Sequence, residues 1–339
     1  MRKPTQMEAF DMLHMIVKGD GREESLLGKD AEKVREAYAK TLIGDEYPGI
    51  CFEFPLLGKC GLDFLAIYGE MEKDLVFEEG CGYGYQDMFT WFSRLPHGNP
   101  CSIGLELDIS SGNSDKAGVY LQHRGKHELV EPFLATIHEE ERLASYQAIM
   151  QKMPEVMDVA YLGLFPGRQG TPLRIGGYMD WTLFKEIAMD PDVLGKKFQQ
   201  IGFEAYDASM LKTCSSYMKH VPGIDFQFDI MPDGKLGDTF GLSLSFNKVS
   251  PRRSRECMEA GYGAALMQAL VQDGLADDRY HKVADATFAK AVPFAKEDGS
   301  FGLFALAVRM NYAKVKFKNA KAQPAKFYLT MHAKELTDR

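Results

Sequence analysis

The sequence lacks the marks of membrane, secreted and nucleic-acid-binding proteins. No window reaches the ~18 uncharged apolar residues that a membrane-spanning helix needs, and the first residues contain no apolar stretch typical of a signal peptide. Acidic residues outnumber basic residues by 48 to 40, and neither sign forms a long block. This charge balance disfavours DNA or RNA as the main partner. We therefore expect a cytoplasmic protein with no nucleic-acid or membrane partner.

Motifs for metal binding and nucleophilic catalysis are also missing. The 6 cysteines form no C-x-x-C pair and the 8 histidines form no H-E-x-x-H motif; His123 and His127 have H-x-x-x-H spacing, but no cysteine pair accompanies them. The full spacing of a common zinc site is therefore absent. No G-x-S-x-G motif is present either, which removes the usual signal for a serine nucleophile. We assign no metal site from the sequence, and we expect the cysteines to be reduced thiols in the core.

What the sequence does contain is a repeated pattern of alternating residues. Five times, two stretches of alternating polar and apolar residues flank a turn marked by Gly, Pro or Asn, which is the pattern of a β-hairpin. In residues 225–246, for example, Phe226, Phe228 and Ile230 alternate with polar residues before a Pro-Asp-Gly turn. The five predicted hairpins are 50–69, 101–125, 159–180, 225–246 and 313–333.

Helical sequence lies between the hairpins. Apolar residues recur every three or four positions there, as Leu129, Phe133 and Ile137 do, and this spacing predicts amphipathic helices. The predicted helices are 29–42, 85–95, 127–152, 181–219 in pieces, and 254–290. We expect one α+β domain over residues 1–339, with a helical segment at 1–46 and five hairpin-helix repeats over 47–335.

Five antiparallel hairpins can close into a ten-stranded barrel surrounded by α-helices, which would leave no sheet edge exposed. The apolar face of each strand would then contact the helices, and the polar face would line a lumen. The alternative is an open antiparallel sheet with helices on one face and water on the other. In the barrel, charged and polar side chains of both signs would face the lumen together; examples are Glu53, Glu106, Asp225, Asp229, Ser243, Lys314 and Lys318.

A barrel of five hairpins with outer helices resembles the ABBA aromatic prenyltransferases, which include the dimethylallyltryptophan synthases and the cyanobactin peptide prenyltransferases. In that family, the second strand of each hairpin carries basic residues and tyrosines that bind a diphosphate and shield an allylic cation. The similar positions here are Lys116 and Tyr120 in KAGVYL, Arg174 and Tyr178 in RIGGYM, and Lys326 and Tyr328 in AKFYL. Glu53, in FEF, matches an acidic residue of the family's first strand. RIGGYM departs from the family pattern, because its glycines stand where another basic residue is usual.

The resemblance implies transfer of a prenyl group from an allylic diphosphate to an aromatic small molecule or peptide. Departure of the diphosphate requires positive charge from Arg, Lys or Mg²⁺, and the cofactor is left open with Mg²⁺ as the candidate. The predicted diphosphate ligands are Arg174, Lys316, Lys326 and Lys116. Tyr120, Tyr178 and Tyr328 would shield the cation with their π-faces. Glu53, or Glu106 as the second choice, would accept the proton of the arene.

Each of these residues also has an ordinary structural explanation. Tyrosines on strands usually serve packing, and Lys314, Lys316 and Lys318 would suit the solvated face of an edge strand. Glu53 could face solvent in the same way. The acids of the predicted lumen would also repel a diphosphate unless cations compensate for them. The alternative function is therefore a non-catalytic barrel that binds a cationic or aromatic small molecule or peptide.

Overall fold

The computed structural model describes residues 2–19, 31–41, 49–59, 61–69, 82–168, 170–246 and 249–336. The twelve strands in these ranges form one antiparallel sheet, and ten of them close into a barrel. The described strands are β1 (Gly49–Pro55), β2 (Asp63–Tyr68), β3 (Ser102–Asp108), β4 (Asn113–Gln122), β5 (Met157–Leu164), β6 (Leu173–Met179), β7 (Ile224–Ile230), β8 (Leu236–Ser245), β9 (Phe288–Ala295), β10 (Phe301–Lys318), β11 (Lys321–Ala322) and β12 (Lys326–Leu336). Strands β1 to β8 pair in chain order, β8 pairs with β10, β10 with β12, and β12 with β1. The ten-stranded antiparallel barrel predicted from the sequence is confirmed, and the open sheet is excluded.

Helices surround the barrel. They are α1 (Gln6–Gly19), α2 (Ala31–Ala39), α3 (Gln86–Ser93), α4 (Val130–Thr136), α5 (Arg142–Met150), α6 (Trp181–Met189), α7 (Asp192–Ile201), α8 (Ala208–Met218), α9 (Ser254–Ala260) and α10 (Tyr262–Gln272). The carboxylate of Asp180 caps α6 by accepting a hydrogen bond from the Leu183 N–H at 2.7 Å, a usual role for Asp before a helix. None of the helices in the described ranges is long and apolar enough to cross a membrane.

The core lies between the helices and the outer face of the barrel. Phe226, Phe228 and Phe240 are at most 1% exposed and point outward from β7 and β8. Phe198 of α7 packs against the rings of Phe228 and Phe240, with centroids 5.8 and 4.9 Å apart. Burial of each such side chain stabilises the fold by about 1.5–3 kcal/mol. Because side chains alternate along a strand, the same packing turns the polar residues into the lumen.

The helix predicted over 254–290 is wrong in its second half. Helix α10 ends at Gln272, and Gly274 follows with a φ of +70°, a conformation that glycine adopts without strain. Residues Phe288–Ala295 instead form β9, which pairs with the first half of β10 outside the closed barrel. Pro293 lies in β9 and has no N–H to donate, so it suits this edge position.

The cysteines are where the sequence predicts them, as far as the structure describes them. Cys51, Cys101, Cys214 and Cys257 are buried free thiols. Cys60 and Cys81 lie outside the described residues.

Candidate active site

The described residues of the barrel lumen line two adjoining cavities. One, of about 410 Å³, is lined by basic side chains and is called here the cation-rich chamber; its cations are Arg168, Arg174, Lys314, Lys316 and Lys326. The other, of about 190 Å³, is called the tyrosine chamber and is lined by Tyr120, Tyr161, Tyr178, Tyr312 and Tyr328. The two chambers share the side chains of Glu53, Asp63, Glu106, Lys314 and Tyr328. They are therefore neighbouring parts of one site, in which cations lie on one side and aromatic rings on the other.

Arg174 is fixed in the wall of the cation-rich chamber. It lies on β6 and is 5% exposed. Its Nε and Nη2 atoms donate to the two carboxylate oxygens of Asp229 on β7, at 2.8 and 3.2 Å. This planar, two-point contact holds the guanidinium in one orientation. Burial alone would lower the pKa of Arg174, but the charge of Asp229, its hydrogen bonds and the neighbouring Tyr120 together raise it, so the side chain remains a cation.

Arg168, a residue that the sequence analysis did not select, completes this wall from the loop between β5 and β6. It donates two hydrogen bonds to Asp108, at 2.9 and 2.8 Å, and another to Glu106. Its guanidinium carbon lies 3.8 Å from the centre of the Phe165 ring. Burial alone would raise the pKa of the Glu106 carboxyl, but the charges of Arg168 and Arg174 outweigh it and hold that pKa at about 2. Glu106 is consequently a weak base.

Lys314 and Lys316 are the cations of this chamber that no carboxylate engages. Both project from β10, and among the described residues neither ammonium has a carboxylate oxygen within 4 Å. Burial first, and then the charge of Arg174, lowers the pKa of Lys314 to about 7. The pKa of Lys316 is lowered by the same two causes. Their positive charge is therefore available to a ligand, and an anion bound between them would favour their protonated forms.

Glu53 lies where the two chambers meet. On neighbouring β12, Lys326 donates to one oxygen of its carboxylate and the Tyr328 hydroxyl donates to the other. The charge of Glu53 raises the pKa of Lys326, although burial alone would lower it. Lys326 also lies 3.8 Å from Asp63, whose carboxylate accepts a hydrogen bond from the Ser110 N–H at 2.8 Å. Glu53 thus touches both the cation-rich wall and a tyrosine.

The walls of the tyrosine chamber depend on small residues that leave room for rings. A side chain at Gly163 would come within 2.6 Å of the Tyr120 ring, which packs edge-on against Phe165 at 5.3 Å. The Tyr120 hydroxyl donates to Glu106 at 2.6 Å. Across the lumen, the rings of Tyr312 and Tyr328 stack at 4.2 Å. The result is a set of fixed aromatic faces beside the cation-rich chamber.

The carboxylates of the cation-rich chamber are already engaged, which bears on whether they could hold Mg²⁺. Glu53 is bound by Lys326 and Tyr328, and Arg168 binds both Glu106 and Asp108. Within the described ranges, no three His, Cys, Asp or Glu side chains are arranged to hold a metal ion. These carboxylates therefore do not fit a directly bound Mg²⁺ ion.

Comparison with solved structures finds barrels of the same kind. The 5-dimethylallyltryptophan synthase from Streptomyces coelicolor matches with a TM-score of 0.54 and 13% identity, over 98% of this chain and 98% of that one. The same synthase in complex with DMASPP and Trp matches equally, over 98% and 96% of the two chains. The apo form of the prenyltransferase PriB gives a TM-score of 0.53 and 11% identity, over 97% and 96%. This chain has the ABBA barrel fold. The sequence matches no family model and no curated protein, so the likeness is one of fold.

The ABBA barrel brings most of the predicted site residues together. Glu53, Glu106, Arg174, Lys316, Lys326 and Tyr328 line the cation-rich chamber, and Tyr120 and Tyr178 line the tyrosine chamber. Tyr178 is 52% exposed and lies at the rim. Lys116 is exposed and lines neither chamber, so the structure does not place it with the other predicted diphosphate ligands.

The glycines of RIGGYM, which depart from the usual pattern of ABBA prenyltransferases, have a steric explanation. Gly176 faces the Tyr161 ring, and a side chain there would overlap the Tyr161 hydroxyl. That hydroxyl accepts a hydrogen bond from the Gln227 amide at 2.6 Å. In this barrel, Gly176 therefore provides space for an additional tyrosine of the lumen rather than a basic residue.

Proposed function

We propose that the protein transfers a prenyl group from an allylic diphosphate to an aromatic acceptor inside the barrel lumen. The observation that carries the proposal is the division of one lumen into a cation-rich chamber and a tyrosine chamber with Glu53 between them. Prenyl transfer needs these three features in this order, and the fold is that of a synthase solved with DMASPP and Trp bound.

In the first step, the C–O bond of the allylic diphosphate breaks, and its electron pair leaves with the diphosphate. The developing negative charge would lie against Lys314 and Lys316, which no described carboxylate engages, with Arg174 and Lys326 beside them. Hydrogen bonds from charged donors to such an anion are worth about 1.5–3 kcal/mol each. We assign the stabilisation of the leaving group to these side chains.

In the second step, the allylic cation is attacked by the acceptor. Tyr120, Tyr312 and Tyr328 would keep water from the cation and stabilise it through their π-faces, by roughly 0.5–2 kcal/mol per ring. A carbon–carbon bond forms between the prenyl group and the arene, and the arene then loses the proton at the new bond. We assign acceptance of that proton to Glu53, because the low pKa of Glu106 makes the Glu106 carboxylate a poor acceptor.

The alternative of a non-catalytic barrel for a cationic ligand is less well supported. It predicts acids at the centre of the lumen and basic residues facing outward. Arg174, Lys326 and Lys314 instead face inward, and the acids beside them are engaged in holding Arg174, Lys326 and Arg168.

Calorimetric titration with dimethylallyl S-thiolodiphosphate, with and without Mg²⁺, tests the anion site. We expect saturable binding that Lys316→Met weakens by about tenfold or more, the loss of one charge-assisted hydrogen bond. Lys318→Met is the matched control, because Lys318 lies two residues further along β10, is exposed and lines neither chamber. No binding at millimolar analogue, or equal losses in the two variants, would overturn the proposal.

The chemical step is tested with dimethylallyl diphosphate and a panel of indoles and phenols, with products detected by mass spectrometry. Glu53→Gln should retain affinity for the thiolodiphosphate and lose product formation, since the amide cannot accept the proton. A Glu53→Gln variant that forms product at the wild-type rate would exclude Glu53 as the base.

A further inference from the structure

One carboxylate of the lumen has no partner among the described residues. The acids that line the cation-rich chamber are engaged by Arg168, Lys326 or a backbone N–H. Asp225, on β7, lines the tyrosine chamber instead, and among the described residues nothing forms an ion pair or a hydrogen bond with it. Burial raises the pKa of this carboxyl to about 7, while Lys314 acts in the opposite sense. A partly buried carboxylate without a partner costs free energy unless a ligand supplies a cation or a hydrogen-bond donor.

A second unpartnered group lies beside it. Ser243, on β8, is directly opposite Asp225 in the strand register. Ser243 is 1% exposed, lines the same chamber, and its Oγ atom has no hydrogen-bond partner in the part of the chain that the structure describes. Neighbouring strands are about 4.7–4.9 Å apart, so the two side chains can reach the same ligand atom. On the other side of Asp225, the register places Tyr178 of β6.

We infer that Asp225 and Ser243 form a subsite for a protonated amine of the aromatic acceptor. An ammonium group has three N–H donors and no acceptor, and it is complemented by a carboxylate and a hydroxyl oxygen. The rings of Tyr161 and Tyr178 line the same chamber and provide faces that attract a cation. Lys314 lies two strands from Asp225 in the same register row, and its charge would repel an ammonium group. Lys314 also lines the cation-rich chamber, however, where a bound diphosphate would offset that charge.

This inference rests on the proposed function and narrows its substrate class. The acceptor is an aromatic molecule with a free amine, because an aromatic residue within a peptide carries amide nitrogens that have no charge. The cationic end of the acceptor would lie at Asp225, and its ring would project toward Glu53, which lines the same chamber.

Calorimetry with matched acceptors tests the subsite. Tryptamine is compared with N-acetyltryptamine and 3-ethylindole, and tyramine with 4-ethylphenol, all in the presence of the thiolodiphosphate. We expect the amine of at least one series to bind the wild type about tenfold or more tightly than its uncharged analogues. Asp225→Asn, which keeps the shape of the side chain, should abolish this preference, and Ser243→Ala should reduce it.

Two controls separate this inference from the proposed function. Both variants should retain the wild-type affinity for the thiolodiphosphate, which shows that they are folded and that the anion site is intact. If the wild type fails to bind the diphosphate analogue but prefers the amines, the transferase proposal fails while the amine subsite stands. If no amine is preferred, or if Asp225→Asn leaves the preference unchanged, the subsite is refuted.

Discussion

Binding of a diphosphate should draw a proton onto Lys314. With a pKa of about 7 in the empty lumen, only about a tenth of the Lys314 side chains carry a proton at pH 8. A bound diphosphate would return the pKa toward or above its ordinary value of 10.5 and make the side chain fully cationic. The expected uptake at pH 8 is therefore about 0.9 proton per site from this residue.

Calorimetry in buffers with different ionisation enthalpies measures this uptake directly, because the observed heat changes in proportion to the protons exchanged. At pH 8 the last ionisation of the ligand, near pH ~6, is complete, so the ligand contributes little. Lys316, whose pKa is also lowered, would add to the uptake in the same direction. At pH 6 Lys314 is largely protonated before binding, and its uptake should fall close to zero.

Lys314→Arg is the matched variant, because arginine keeps the positive charge and does not titrate in this range. Its proton uptake at pH 8 should be smaller than that of the wild type by nearly one proton. The wild-type affinity should also fall up to about tenfold per pH unit above pH 8, since binding requires the protonated lysine. Equal uptake by wild type and Lys314→Arg would refute the reasoning, as would an affinity independent of pH.

Two further predictions concern stability. Gly163→Ala should destabilise the protein by about 1–3 kcal/mol in urea unfolding, because the new Cβ would overlap the Tyr120 ring. Gly223→Ala is the control, since a Cβ there would have no atom within 4 Å. Equal losses of stability in the two variants would contradict this prediction. Burial first, and then the charge of His127, lowers the pKa of His123 to about 3. Below about pH 6.5 the unfolded chain therefore binds a proton at this residue that the folded chain does not bind. The free energy of unfolding should fall by up to about 1.4 kcal/mol per pH unit as the pH drops through this range. His123→Leu should reduce that slope in urea titrations across this pH range, and an unchanged slope would assign it to other groups.

The closed barrel could be predicted because successive side chains of a strand point to opposite faces of the sheet. In residues 226–230 and 240–246, every second residue is apolar, and burying that set against helices turns the other set inward. Glu53 and Arg174 were found in this way. The helical prediction failed at the end of 254–290, where the apolar run that begins at Phe288 suits either a strand or a helix, and pairing with β10 determines the outcome.

The lumen residues that were missed lie where the period of two is interrupted. Tyr161 follows a register shift between Val159 and Tyr161 in β5. An extra residue at such a shift exchanges inward and outward positions, so alternation counted from Val159 assigns Tyr161 to the wrong face. Tyr312 lies one residue before the predicted hairpin 313–333, next to a register shift between Met310 and Tyr312 in β10. Arg168 lies in a loop, and its contacts with Glu106 and Asp108 span 62 and 60 residues of sequence.

The charges of the lumen separate into those that hold the site and those that could hold ligands. Acids beside Arg168, Arg174 and Lys326 would repel a diphosphate if they were free, but each is engaged by a cation or another hydrogen-bond donor. Lys314, Lys316 and Asp225 are different, since no described group of opposite charge forms an ion pair with them. Because an unpaired charge in a protein interior is costly, the positions of these three favour an anion in the cation-rich chamber and a cation in the tyrosine chamber. A barrel that binds one charged ligand would need unpaired charge of one sign only. A transferase that joins two substrates of opposite charge needs unpaired charge of both signs, in separate chambers.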